Sequence, residues 1–220
     1  MIAERLHDIT RQLPDGVNLV AVSKFHPAEQ VREAYDAGQR LFGESRVQEL
    51  VAKAPLLPSD IEWHFIGHLQ KNKVRQLMPV VTMIHSIDSL ALLQRVNEEA
   101  RRLNRHVDVL LQLHVAQEET KSGFYIDELI DLAREGHLTD PSLTHVTLRG
   151  LMAMATFTDD TALIDSEFQC VSDTFNTLRP LLPDTFDTLS MGMSDDWPIA
   201  LRHGATLIRI GTQIFGPRQY

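Results

Sequence analysis

The sequence predicts an α/β fold, a single (β/α)8 barrel of the TIM type with an extra N-terminal helix. Three observations predict it. Short apolar runs of strand length recur eight times along the 220 residues. Amphipathic stretches with helical spacing fill the gaps between them, and Pro and Gly sit at element ends without forming a linker. Such alternation builds parallel strands joined by helical crossovers, and eight units close into a barrel. An open doubly wound sheet is the competing architecture. Residues 1–220 read as one domain, of a size that buries most of the surface its unfolded chain would expose.

The elements follow in order. MIAERLHDITRQL suits one helix over residues 3–13. NLVAVS (18–23) is the first strand run, and AEQVREAYDAG follows with Val31, Ala34 and Tyr35 on one face. RLFG (40–43) precedes SRVQELVAKAPLL, which opens with Ser45 and Gln48 spaced as a capping box. EWHFIG (62–67) and VTMIHS (81–86) flank the one dense basic stretch, QKNKVR from Gln70 to Arg75, read as a solvated helix face. SLALLQRVNEEARRL sets Leu90, Leu93, Val96 and Ala100 at helical spacing, and VDVLLQLHV (107–115) and LRGLMAM (148–154) are the next strands. DSEFQCVSDTFNTLRPLL aligns Phe168, Val171, Phe175 and Leu178 before the last strands, TLSMG (188–192) and TLIRIG (206–211).

Composition narrows the function classes. Hydrophobic residues make up 43% and charged residues 23%, as in ordinary soluble globular proteins. The only cysteine, Cys170, excludes an internal disulfide; it lies in a helical pattern away from any strand end and reads as a partly buried spectator. Charges at Glu4, Arg5, Asp8 and Arg11 rule out a signal h-region or an acid-free transit peptide, and no apolar run is long enough to span a bilayer. A cytoplasmic address is expected. Asp and Glu outnumber Lys and Arg by 30 to 21, for a net charge of −9. Nucleic acid and anionic membranes are therefore not expected as partners.

Two constellations carry chemistry. Lys24 sits where the first strand ends, on the side of a parallel barrel where active sites are built. It reads either as a strand-end lysine extending into solvent or as an amine in a partly desolvated pocket, where a lowered pKa frees it to attack an aldehyde or ketone. The second constellation is LSMGMSDDWPIALRHGATLIRIGTQIFG, Leu189 to Gly216. Ser190, Gly192 and Ser194 lie between a strand end and a helix start, and Gly211 and Thr212 repeat the pattern after the last strand. Small residues there let backbone N–H groups approach an anion, and a phosphate after strands seven and eight is a recurrent barrel arrangement; ordinary tight turns are the alternative. Arg209 alternates with Ile208 and Ile210, so it faces the other side of the sheet and needs a partner if buried. His64 and His68 do not read as a metal pair, because a strand sets them roughly 13 Å apart. Lys121, in EETKSGF after strand five, reads as solvated, with a second binding lysine as the alternative.

These residues together resemble the pyridoxal phosphate homeostasis protein family, the YggS/PROSC-type PLP-binding proteins. The similarity runs from LVAVSKFHP through LFGESRVQEL, WHFIGHLQKNK, IHSIDS, ETKSG and RGLMAM to LSMGMSDDWPIALRHGATLIRIGTQIFG. The resemblance implies a barrel of the alanine racemase N-terminal-domain type without that enzyme's extra β-domain, and pyridoxal 5'-phosphate (PLP) as cofactor. It places PLP as a Schiff base on Lys24, the phosphate near Ser190, Gly192, Ser194, Gly211 and Thr212, and Arg209 on the pyridine nitrogen. Ser45 and His114 depart from the family, which usually has Asn at both. Ser45 loses reach toward the cofactor ring; His114 either touches the cofactor or fills space. An Arg on the ring nitrogen disfavours carbanion chemistry, which in PLP enzymes generally relies on a protonated ring. The implied function is a monomeric PLP carrier that holds and releases or transfers its cofactor with little or no catalysis, and apo PLP-dependent enzymes are the candidate partners. A small single-domain racemase or a Schiff-base aldolase acting on a phosphorylated substrate is the alternative, and a non-catalytic protein-interaction module is the third reading.

Overall fold

Parallel strands need a crossover that returns the chain to the starting edge, and the helices supply it in every repeat. The structure, a computed structural model, describes residues 1–116 and 122–217. Its strands are β1 (Asn18–Val22), β2 (Leu41–Glu44), β3 (Glu62–Phe65), β4 (Met83–Ile87), β5 (Val107–Gln112), β6 (Val146–Met152), β7 (Thr188–Ser190) and β8 (Leu207–Ile210). All pair in parallel, and β8 returns to β1, closing the barrel in sequence order. The closed barrel replaces the open sheet left standing by the sequence.

The helices are α1 (Ile2–Thr10), α2 (Ala28–Asp36), α3 (Val47–Lys53), α4 (Val74–Leu77), α5 (Leu90–Arg102), α6 (Ile126–Arg134), α7 (Thr161–Leu178), α8 (Trp197–Arg202) and α9 (Thr212–Phe215). Each long helix turns an apolar stripe inward: α5 buries Leu92, Leu93, Val96 and Ala100, and α7 buries Ile164, Phe168, Val171, Phe175 and Leu178. Ser89 caps α5 by accepting the Leu92 N–H, and Asp160 caps α7 by accepting the Ala162 and Leu163 N–H groups. The expected capping box at Ser45 does not form. The N-cap of α3 is the extended Arg46, which makes no side-chain cap bond, so the chain enters the helix one residue later than the box requires. No helix among the described residues is long and apolar enough to cross a membrane.

Alternation along the strands sorts the core into layers. Leu19, Ala21, Phe42, Trp63, Phe65, Ile84, Val109, Leu111, Leu189, Ile208 and Ile210 join the helices in one large apolar shell. The opposite parity fills the barrel with two separate apolar groups. One comprises Val20, Val22 and Leu207 with Leu41 and Ile66; the other comprises Met83, Leu110 and Met152 with Met154. Between them the interior is polar, and that polar seam belongs to the site.

Candidate functional site

Strand register brings the two ends of the chain together at the barrel mouth. Val20 pairs with Arg209 and Ala21 with Ile210, so Lys24 and Gly211 stand just beyond the last pairs on neighbouring strands. Lys24 is half-buried and lies two residues beyond Val22, the last residue of β1.

The turn that carries Lys24 is unusual. Phe25 has φ 67°, a left-handed conformation that bulky residues rarely adopt without outside restraint. The restraint is a buried charged cluster between β1, β2 and α3. The Phe25 N–H donates to Glu49 Oε1 at 2.7 Å. Lys53 Nζ donates to the Ser23 carbonyl at 3.0 Å, to Glu44 Oε1 at 2.6 Å and to Glu49 Oε1 at 3.0 Å. Ser23 Oγ donates to Glu44 Oε1 at 2.6 Å. All three ammonium protons of Lys53 therefore have acceptors, and its charge is matched by carboxylates. Burial pushes the Glu44 carboxyl above its ordinary range, against the pull of Lys53. The Arg46 guanidinium covers the Phe25 ring at 4.7 Å.

Arg209 lies inside the barrel and is held differently. Its guanidinium donates to Ser190 Oγ at 2.6 Å and to the Ala153 carbonyl at 3.0 Å, both neutral. Burial lowers its pKa to about 10, with Asp196 pulling the other way, so it remains a cation at neutral pH. Ser190 passes the network across the barrel: its Oγ lies 3.1 Å from His85 Nδ1, and His85 Nε2 lies 2.9 Å from His64 Nδ1. One proton arrangement satisfies every member. Arg209 donates to Ser190, Ser190 to His85, and His85 to His64. That arrangement keeps both imidazoles neutral, in accord with burial, which lowers His64 to about 4 and His85 well below its ordinary value.

The turns after β7 and β8 hold the two glycines singled out in the sequence. Gly192 has φ 95°, and a Cβ there would lie 2.7 Å from Ala200 Cβ and 2.9 Å from Trp197 Cα. At Gly211 a Cβ would meet the Val22 carbonyl at 3.1 Å. Close packing against α8 and β1 constrains both glycines. Donors are nevertheless available: the N–H groups of Ser194, Gly211 and Thr212 donate to no protein acceptor among the described residues. Asp196 shapes this corner by accepting the Met193 N–H at 2.5 Å, and burial raises its carboxyl. Ser190 directs its hydroxyl at Arg209 and His85.

The remaining candidates separate. Ser45 is half-buried at the end of β2. His114 is half-buried and meets the Tyr125 ring edge-on at 5.5 Å. Lys121 lies outside the described residues. His64 is part of the interior chain, whereas His68 lies at the surface with Nδ1 3.3 Å from Asp88 Oδ2 and from Ser122 Oγ. Cys170 is half-buried, and burial raises its thiol pKa, away from nucleophile chemistry. The charged cluster and the histidine chain were missed from the sequence. Period-two alternation through His64, Met83, His85, Ser190 and Arg209 would have found the second; nothing local links Lys53 to Glu44.

The family described as alanine racemase, N-terminal domain, matches residues 1–219. The pyridoxal phosphate homeostasis protein of Pasteurella multocida (strain Pm70) is 41% identical over 93% of this chain and 88% of that protein. Structures of PipY from Synechococcus elongatus PCC7942 are 42% identical and cover 98% of this chain and 100% of PipY. Their TM-scores are 0.92 without PLP and 0.88 with PLP bound.

Proposed function

This chain belongs to the pyridoxal phosphate homeostasis protein family, and on that premise we propose that it binds PLP at the barrel mouth and takes part in PLP homeostasis. It holds the cofactor on Lys24 and releases or transfers it, with little or no turnover of its own. One observation supports this reading: register sets Lys24 and Gly211 just beyond the paired ends of β1 and β8, with Arg209 on β8 below them, and the N–H groups of Ser194, Gly211 and Thr212 have no acceptor among the described residues. That donor set fits PLP, since an amine, a fixed cation and several N–H donors suit an aldehyde, a pyridine and a phosphate.

When bound, PLP supplies an aldehyde that condenses reversibly with an amine and a pyridine ring that accepts electrons. Lys24 supplies the amine. Half-burial keeps it reachable from the mouth while reducing its hydration. Arg209 lies beneath the mouth with its orientation set by Ser190 and Ala153. A guanidinium beside the ring nitrogen donates a hydrogen bond and leaves that nitrogen unprotonated, which disfavours carbanion chemistry and favours simple holding and release. Ser194, Gly211 and Thr212 bind phosphate through their N–H groups, and Ser45 and His114 border the mouth from β2 and from the end of β5. The carrier acts in the cytoplasm as a monomer formed by one barrel domain, and its recipients are apo PLP-dependent enzymes.

The test is direct. Purified protein mixed with PLP and reduced with borohydride should yield the pyridoxyl group on the Lys24 peptide, and Lys24→Ala should lose it. A label found only on Lys121 would overturn the site. Holoprotein should activate an apo PLP enzyme faster than the equilibrium free PLP does; equal rates would leave storage without delivery.

A further inference from the structure

We infer that Glu49 is a positioning residue for Lys24, acting through the peptide groups on either side of it. This rests on Lys24 as the cofactor lysine. The carbonyl before Lys24, on Ser23, accepts Lys53 Nζ at 3.0 Å, and the N–H after it, on Phe25, donates to Glu49 Oε1 at 2.7 Å. Glu49 Oε1 also accepts Lys53 Nζ at 3.0 Å, so one carboxylate oxygen ties both restraints together.

Three facts make this more than helix packing. Phe25 is left-handed with φ 67°, so the turn relaxes if its restraint is lost. The restraint comes from outside the barrel, on α3. Lys53 is itself oriented by Glu44, whose Oε1 also accepts Ser23 Oγ, so the cluster grips the backbone from β1, β2 and α3 at once. A relaxed turn populates the binding-competent Lys24 conformer less, and apparent affinity falls by that fraction.

The experiment compares wild type, Glu49→Ala and Glu49→Gln as full-length chains. Urea unfolding reads stability, PLP titration by absorbance reads affinity, and borohydride labelling with peptide mapping reads occupancy of Lys24. Glutamine keeps an oxygen for the Phe25 N–H but loses the charge facing Lys53; alanine loses both. Positioning predicts that Glu49→Ala raises the PLP dissociation constant about tenfold while Glu49→Gln stays within about threefold. A purely structural role predicts lower stability in both variants with unchanged affinity for the folded protein. Wild-type affinity in Glu49→Ala, or equal loss in the two variants, overturns the inference. If Glu49→Ala does not fold, Glu49→Asp replaces it, keeping the charge near Lys53 with a side chain one methylene short of the Phe25 N–H. Wild-type protein that takes no label on Lys24 instead sinks the cofactor site, and this inference with it.

Discussion

Two buried cations, Lys53 outside the barrel wall and Arg209 inside it, are stabilised in opposite ways. Lys53 has three acceptors, and its charge is answered by Glu44 and Glu49. Arg209 has a hydroxyl and a carbonyl, behind which stand two neutral imidazoles. Lys53 has its three donors accepted and bonds two carboxylates directly; Arg209 has its direction fixed by neutral acceptors, and the carboxylate acting on its charge, Asp196, makes no hydrogen bond to it. A group compensated by its own chain serves the fold, and a group oriented but left charged is available to a ligand. On that contrast the proposed site draws on Arg209 rather than Lys53, although both are buried.

The largest expected effect sharpens this contrast. Lys53→Met leaves Glu44 and Glu49 facing each other beneath the Lys24 turn and should cost about 3–5 kcal/mol of unfolding free energy. Arg209→Met strands two neutral hydrogen-bond acceptors and removes the cation that acts on the Asp196 carboxylate, and should cost about 1–2 kcal/mol. Urea denaturation of both proteins without cofactor is the measurement, and equal losses would erase the distinction.

The second effect is a pH dependence. His64 is held to about 4 in the folded protein against about 6.5 when unfolded. The unfolded chain therefore binds more protons between those values, so this stabilising contribution is complete above about pH 6.5 and is lost as pH falls toward 4. The difference corresponds to about 3 kcal/mol. Glu44 opposes it, because burial raises its carboxyl and protonation is easier in the folded state. Replacing His64 with Phe should flatten the urea midpoint over that pH range; an unchanged slope would place the acid sensitivity elsewhere.

Smaller effects probe the mouth. Gly192→Ala must adopt φ 95° and crowd Ala200 and Trp197, at a cost of about 1–3 kcal/mol in thermal or urea stability. Arg209→Lys keeps the charge but loses the planar fork held by Ser190 and Ala153. It should weaken PLP about tenfold, or 1.4 kcal/mol, with little change in unfolding. A binding loss as large as that of Arg209→Met would mean that the fork geometry, not the charge, sets affinity.

Legibility in the sequence followed the same divide. The barrel was readable because each strand is short and apolar and each helix has an unbroken stripe. The place of Lys24 just past β1 and the inward parity of Arg209 on β8 were readable because alternation alone marks strand ends and faces. The strand runs read as 107–115 and 188–192 extend past β5 and β7, because residues lining the mouth keep the inward parity after their neighbours on the sheet have ended. The capping box failed because the extended Arg46 postpones the first turn of α3. The link from Lys53 to Glu44 was not readable, since it depends on how α3 lies against β2, a tertiary choice with no periodic signature. The His64–His85–Ser190 line depends on which strands stand opposite each other, which emerges only once the barrel closes.

Closure also sets a timing. β1 pairs with β8 as well as with β2, so the strand that bears Lys24 is among the first synthesised and its second neighbour is the last strand made. Until β8 arrives, β1 presents an unpaired edge and Arg209 has no place beside it. Contacts so far apart in sequence form late and slowly. A chain emerging from the ribosome therefore carries Lys24 long before Arg209 stands on the neighbouring strand, and the proposed site is complete only once β8 has paired with β1.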